Sequence, residues 1–212
     1  MTARGRVARM MTMSLCGAAA LLWMQGGAAG ETFAQAAARS VSAMADEGSR
    51  TVLAPGLNDA DRRRDLADIL ARCFDLPAIA RQALGYHWTA ADAEQRREFT
   101  ALYGTMLTES YADVLRTELG LPFTVTGQRD EGPRDALVLS QLGQRTDPGF
   151  LRIDWRMRLD GEGTPRIIDV IVSGVSLVRS GQDDFDAAIR ASGQGMEGLL
   201  KLLRARHAAA DK

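Results

Sequence analysis

Cysteine and histidine are scarce in this chain, with two of each among 212 residues. A zinc or similar centre needs several His, Cys or carboxylate ligands at defined spacing. The acids that do cluster, Asp59 with Asp61 and Asp183 with Asp184 and Asp186, fall at expected helix starts. There a carboxylate favours the helix dipole before it serves as a ligand. Phosphate loops and dinucleotide fingerprints are missing. Positive charge is not in excess either: 26 Lys and Arg face 27 Asp and Glu. That balance carries no nucleic-acid footprint. Beyond the N-terminal segment no run is long and apolar enough to span a bilayer.

The first 30 residues stand apart. Arg4, Arg6 and Arg9 precede a short apolar run, Leu15 to Met24, and the small residues Ala28-Ala29-Gly30 follow. The pattern is that of a secretory signal peptide cleaved near Gly30. The alternatives are an uncleaved anchor, for which the run is short, and a lipoprotein at Cys16. The latter lacks the usual small residues, with Met13-Ser14-Leu15 standing there instead. Cleavage leaves residues 31–212 as one domain, large enough for a real core. The segment removed holds three Arg and no acid, so 26 less three, or 23, basic residues remain against 27 acidic ones. Cys73 would be the sole remaining cysteine, so no internal disulfide is available and packing must hold the fold.

Apolar periodicity near 3.6 predicts helices first. Glu31 to Asp46 carries Phe33, Ala36, Ala37, Val41 and Met44 at helical spacing. Asn58 is an expected N-cap for a helix through Leu66, Ile69, Leu70, Cys73 and Phe74. Asp75 is expected to cap a short helix through Ile79 and Leu84, ended by Gly85. Thr89 and Asp92 resemble a capping box that opens the longest helix, which runs to Gly120. Its apolar positions are Phe99, Leu102, Tyr103, Met106, Leu107, Tyr111, Val114, Leu115 and Leu119. They cover more than half of its circumference. Such a helix must touch two surfaces, or one surface and a ligand.

After Pro122 the period falls to two. "PFTVTGQ", "DALVLSQL", "LRIDWRMRLD" and "RIIDVIV" read as four antiparallel strands in meander order. In the third, Leu151, Ile153, Trp155, Met157 and Leu159 share one face, and Arg152, Asp154, Arg156 and Arg158 the other. Two helices then close the chain. Helices on either side of an antiparallel sheet define an α+β fold.

Few residues offer reactive chemistry. His207 sits in a tail expected to fray, and His87 in a loop, "GYHWT". A nucleophilic site would need His87 near a Ser or near Cys73, yet Cys73 falls on an apolar helix face. Asp169 is flanked by apolar strand residues. It reads either as a cross-strand partner of Arg152, Arg156 or Arg158, or as a general base in a pocket. The run "SGVSLV" ends the last strand with an apolar, Gly-punctuated turn. Gly174 lets the backbone bend, and Val175 and Leu177 keep the turn apolar, so it suits either a cavity rim or a turn folded onto core.

The stretches "FDLPAIARQALGYHWTAADAEQRREFTALYGTMLTESYADVL", "LRIDWRMRL" and "IIDVIVSGVSLVRSGQDDFDAAIRASGQGMEGLLKLL", in this order and spacing, cover most of Cys73 to Leu203. Together they resemble the toluene-tolerance family of exported lipid carriers, the periplasmic shuttle components of the Mla (maintenance of lipid asymmetry) pathway. Two departures stand out: "VRSGQDDF" replaces a stretch usually rich in Arg or Asn, and Arg166 stands where an aromatic often opens the last strand. The resemblance implies a curved four-stranded antiparallel sheet packed against several helices, cystatin- or NTF2-like in outline, around an apolar cavity. It implies no enzyme activity and no cofactor, with phospholipid as cargo. The implied partners are an outer-membrane lipoprotein/porin complex and an inner-membrane ABC transporter with an MCE-domain subunit. A related branch is associated with hopanoids. A small periplasmic enzyme using Asp169 or His87, and an assembly factor with a solid core, are the alternatives. The residues expected to line the cavity are Phe74, Ile79, Leu84, Phe99, Leu102, Tyr103, Met106, Leu107, Tyr111, Ile153, Trp155, Met157, Ile168, Val170 and Val175.

Overall fold

The computed structural model describes residues 31–117, 121–147 and 149–210. The expected signal peptide, and Leu119 and Gly120 at the expected end of the longest helix, lie outside them. Seven helices and five strands follow in the order α1 Phe33–Thr51, α2 Asp59–Cys73, α3 Leu76–Leu84, α4 His87–Ala90, α5 Ala93–Thr117, β1 Phe123–Asp130, β2 Asp135–Leu142, β3 Leu151–Leu159, β4 Pro165–Val172, β5 Val175–Ser176, α6 Leu177–Ser192 and α7 Gly195–Ala210. The helices precede and follow one open, curved antiparallel sheet of order β1-β2-β3-β4-β5. Register shifts between Val125 and Gly127 and between Arg156 and Met157 mark bulges, which bend strands and increase their twist.

Local chemistry explains most boundaries. Asn58 accepts from the Asp61 amide at 2.8 Å, and Asp75 from the Ala78 amide at 3.0 Å. Gly85 ends α3 at a φ of 54°. The capping box of α5 lies three residues later than expected. Asp92 accepts from the Gln95 amide at 2.9 Å, and Gln95 Oε1 from the Asp92 amide at 3.1 Å. Thr89 belongs instead to α4, a single turn where a loop is expected; its hydroxyl donates back to the Tyr86 carbonyl. The sheet has five strands rather than four because Ser173 and Gly174 form a two-residue turn, with φ of 50° and 90°. Two successive positive φ values match the right-handed twist of a hairpin, so Val175 pairs with Val172 and Ser176 with Ile171. His207 belongs to α7 rather than to a frayed tail, with Nδ1 3.5 Å from Glu109 of α5.

The Ala-rich α1 lies directly on β1 and β2. Ala34, Ala37 and Val41 are buried there, small enough to let the helix backbone approach the strands. Asp130 of β1 accepts from the Ala34 amide at 2.9 Å, fixing the start of α1. The long α5 is held by α2, α3 and α7 instead. Its aromatic anchor is Phe99, fully buried, stacked on Tyr103 at 5.5 Å and meeting Phe185 of α6 edge-on at 5.2 Å. Truncating such a ring to Ala removes about 3–5 kcal/mol. The α2–α3 corner is pinned to the sheet by a bridge from Phe74 to Ile167 and by the Asp75 amide donating to the Ile167 carbonyl at 2.9 Å.

Candidate functional site

Facing residues of antiparallel strands share a side of the sheet, so the register defines rungs across its inner face. The deepest rung is Ala136, Met157 and Ile167, all buried; the next is Val138, Trp155 and Val170, with Trp155 half-buried. The outermost is Val125, Ser140, Ile153, Val172 and Val175. There Val125, Ile153 and Val172 are half-buried, and Val175 is 57% exposed. Phe123, one alternation beyond Val125, meets Trp155 edge-on at 6.3 Å. The inner face is therefore closed at one end and emerges as an apolar shelf at the other.

The polar atoms on that shelf are already paired. Trp155 Nε1 donates to Ser140 Oγ at 2.9 Å, and that hydroxyl donates to the Ile153 carbonyl at 2.6 Å. The indole is thus held in place and presents its carbon face. The ring pair of Phe74 and Tyr111, centroids 6.4 Å apart, belongs to the same apolar cluster. Burial pushes the Tyr103 phenol up to about 12, with the negative Asp169 adding to it. The Tyr111 phenol is raised further by the same cause, then by Tyr103 and Asp169.

The structure gathers most of the expected lining residues into one apolar cluster. Phe74, Ile79, Leu84, Phe99, Tyr103, Leu107, Met157 and Val170 are buried in it. Leu102, Met106, Tyr111, Ile153 and Trp155 are half-buried against it. Ile168, at the β3–β4 bulge, is buried but outside the cluster, and Val175 stands exposed at the edge of the sheet. Leu102 and Met106 look onto a different feature, a cleft of about 270 Å³ between α5 and α7, lined also by Leu203, Arg206 and His207. Phe123, Val125 and Val172 also flank the cluster without being among the expected lining residues. The alternation in "PFTVTGQ" is the signal that could have found the first two.

The candidate reactive groups are occupied structurally. Asp169, 4% exposed, accepts from Ser176 Oγ at 2.7 Å and from the Val178 amide at 3.2 Å. Arg156, its register partner across the strands, lies 3.7 Å away. The carboxylate ties β4 to the N-terminus of α6, where negative charge is favoured, and the expected cross-strand pair is the one with Arg156. His87 Nε2 is 2.9 Å from Asp186 Oδ1, which also accepts from the Tyr86 hydroxyl at 2.8 Å. Arg190 pairs with the other oxygen. These contacts strap α4 to α6 beside a cleft of about 140 Å³ lined also by Leu84, Arg179, Gln182 and Asp183, in which the hydroxyl present, that of Tyr86, is already committed to Asp186. Burial pushes the Cys73 thiol up, against the lowering effect of Arg72, which opposes the thiolate a nucleophile needs. Among the described residues no group of three or more His, Cys, Asp or Glu is arranged to hold a metal, and no helix is long and apolar enough to cross a membrane.

No curated protein matches the sequence significantly. Among solved structures, the phospholipid-binding protein of Ralstonia solanacearum, in complex with a phospholipid, superposes with a TM-score of 0.70. At 21% identity, the likeness covers 83% of this chain and 99% of that one, and so describes a shared fold. The family model described as MlaC protein matches residues 45–205, which take in α2 to α6 and most of α7. The chain belongs to the MlaC protein family.

Proposed function

We propose that this protein is a carrier of phospholipid. It would hold acyl chains in the apolar space between the inner face of the sheet and α5. The observation that carries the reading is the shelf formed by Phe123, Ile153, Trp155 and Val172, apolar, half-buried and free of unpaired polar groups. Membership of the MlaC family supports it, as does the phospholipid-bound state of the Ralstonia solanacearum protein of the same fold.

Each methylene kept from water is worth about 0.8 kcal/mol, so two chains of some fifteen methylenes expose roughly 20–25 kcal/mol to solvent. A lipid crossing an aqueous compartment therefore needs a shield, and the shield needs no reactive group. In this reading the chain is exported to the periplasm after loss of residues 1–30. It exchanges lipid with an outer-membrane lipoprotein/porin complex and an inner-membrane ABC transporter carrying an MCE-domain subunit. Of the fifteen expected lining residues, the half-buried Tyr111, Ile153 and Trp155 and the exposed Val175 are its cargo contacts, with Phe123, Val125 and Val172 added.

Native mass spectrometry of protein purified without detergent, followed by organic extraction, tests the proposal. The parent should carry phospholipid. Trp155→Asp, which puts a carboxylate on the shelf at a half-buried position, should lose at least nine-tenths of it while remaining folded by circular dichroism. Parent protein with no lipid in either measurement, even after incubation with phospholipid vesicles, would refute the reading.

A further inference from the structure

Two arginines and a carboxylate on the outer face of β3 are left incompletely paired. The strand register puts Arg152, Asp154 and Arg156 on the side of the sheet away from Trp155 and Met157, and so away from the cargo shelf. Neighbouring arginines are committed: Arg129 donates to Glu131 at 3.1 Å, Arg158 to Asp135 at 2.7 Å and Arg166 to Asp160 at 3.0 Å. Arg152 and Arg156 donate no side-chain hydrogen bond among the described residues. Arg152 stands 3.7 Å from Asp154, and Arg156 stands 3.5 Å from Glu131 and 3.7 Å from Asp169. Their side chains are 59% and 42% exposed. Asp154, between them, is the opposite case. It is 8% exposed, and its Oδ1 is buried without a hydrogen-bond partner. A buried carboxylate oxygen with no donor carries a desolvation cost that nothing in the chain offsets.

Alternate residues of a strand stand roughly 6.6 Å apart, so this face reads positive, negative, positive over roughly 13 Å. The rung through Asp154 is otherwise apolar, with Leu139 on one side and Ile171 on the other, both half-buried. An anionic bilayer would meet the two arginines but would set phosphate against the carboxylate between them. A polypeptide can match all three charges at once. We propose that the outer face of β3 docks a segment of a partner protein that sets a Lys or Arg opposite Asp154, between two acidic residues opposite Arg152 and Arg156. Apolar side chains of that segment would cover Leu139 and Ile171. The site goes beyond the carrier reading and lies on the other side of the sheet from its cargo.

The test uses two short fluorescent peptides of equal composition in low salt, read by anisotropy with the whole protein. One carries Glu, Lys and Glu at alternate positions; the other carries Lys, Glu and Glu there. The parent should bind the first about tenfold more tightly, the low end for a hydrogen bond to a charged group. Asp154→Asn should lose the preference for order. Arg152→Gln, at an exposed position that the fold does not need, should weaken binding of the first peptide several-fold. Both variants should load phospholipid as the parent does. Equal binding of the two peptides by the parent, binding of neither, or an Asn variant that keeps the preference overturns the proposal. So does binding to phosphatidylglycerol vesicles that falls in Arg152→Gln while peptide order has no effect, which would assign the face to a bilayer. Loss of lipid loading in either variant would place these residues in the cargo site and overturn it as well.

Discussion

Replacing Asp169 with Ala tests whether this acid is a fastener or a reactive group. The substitution removes the acceptor for two donors, Ser176 Oγ at 2.7 Å and the Val178 amide at 3.2 Å, and leaves the Arg156 guanidinium at 3.7 Å without its buried partner. Hydrogen bonds to a charged group are worth about 1.5–3 kcal/mol each. The Ser176 hydroxyl can rotate, and losing the carboxylate removes its own desolvation cost, so the net loss should be about 2–4 kcal/mol. For a domain of this size that corresponds to a drop in Tm of roughly 5–15 °C. Asp169→Asn keeps an oxygen for the Val178 amide and should lose only about 1 kcal/mol. Urea denaturation followed by circular dichroism reads both values. Because α6 begins at this contact, the Ala variant should also show faster amide exchange in the first turn of α6 than in α1. An unchanged denaturation midpoint in Asp169→Ala would refute the fastening argument, as would an Asn variant as unstable as the Ala variant.

Two further expectations concern glycines and acid. Gly48, near the end of α1, has nothing within 4 Å of an added Cβ, so Gly48→Ala should stabilise by about 0.5–1 kcal/mol through helix propensity. In Gly198→Ala the new Cβ would come 2.5 Å from the Cβ of Ser192, an overpacking cost of about 1–3 kcal/mol that should outweigh the same propensity gain. Ser192 holds the α6–α7 corner through the Ile189 carbonyl and the Gln194 amide, so it has little room to yield. Chemical denaturation of the pair should give shifts of opposite sign. Asp186 is held below the usual carboxylate range first by His87, then by Tyr86 and Arg190. Its contribution to stability is therefore present above the unfolded value near 4 and is lost as pH falls through its lower folded value. Melting curves between pH 6 and about 2.5 should show a smaller acid-induced loss in Asp186→Asn than in the parent.

Much of the fold was legible because local chemistry specifies it. The 3.6-residue spacing of Leu66, Ile69 and Leu70, the caps at Asn58 and Asp75, and the alternation of Ile153, Trp155 and Met157 with the arginines each act over a few residues. Where the reading slipped, a competing local interaction won. Asp92 and Gln95 form a reciprocal box that Thr89 cannot, and a Ser-Gly turn with positive φ adds a fifth strand too short to leave a periodic signal. The site was legible in composition and only partly in arrangement. The breadth of the apolar face on α5 called for two surfaces, or one surface and a ligand, and the structure packs α2, α3 and α7 against that helix.

By itself the sequence determined the element types, the α+β order and the two chemical faces of the sheet, because side-chain period and capping are properties of neighbouring residues. Only the tertiary structure decided which apolar residues are core and which remain a shelf. Met157 and Trp155 are equivalent in the alternation of β3, yet one is fully buried and the other half-buried. Burial is set by contacts between segments distant in the chain, and no local pattern encodes them.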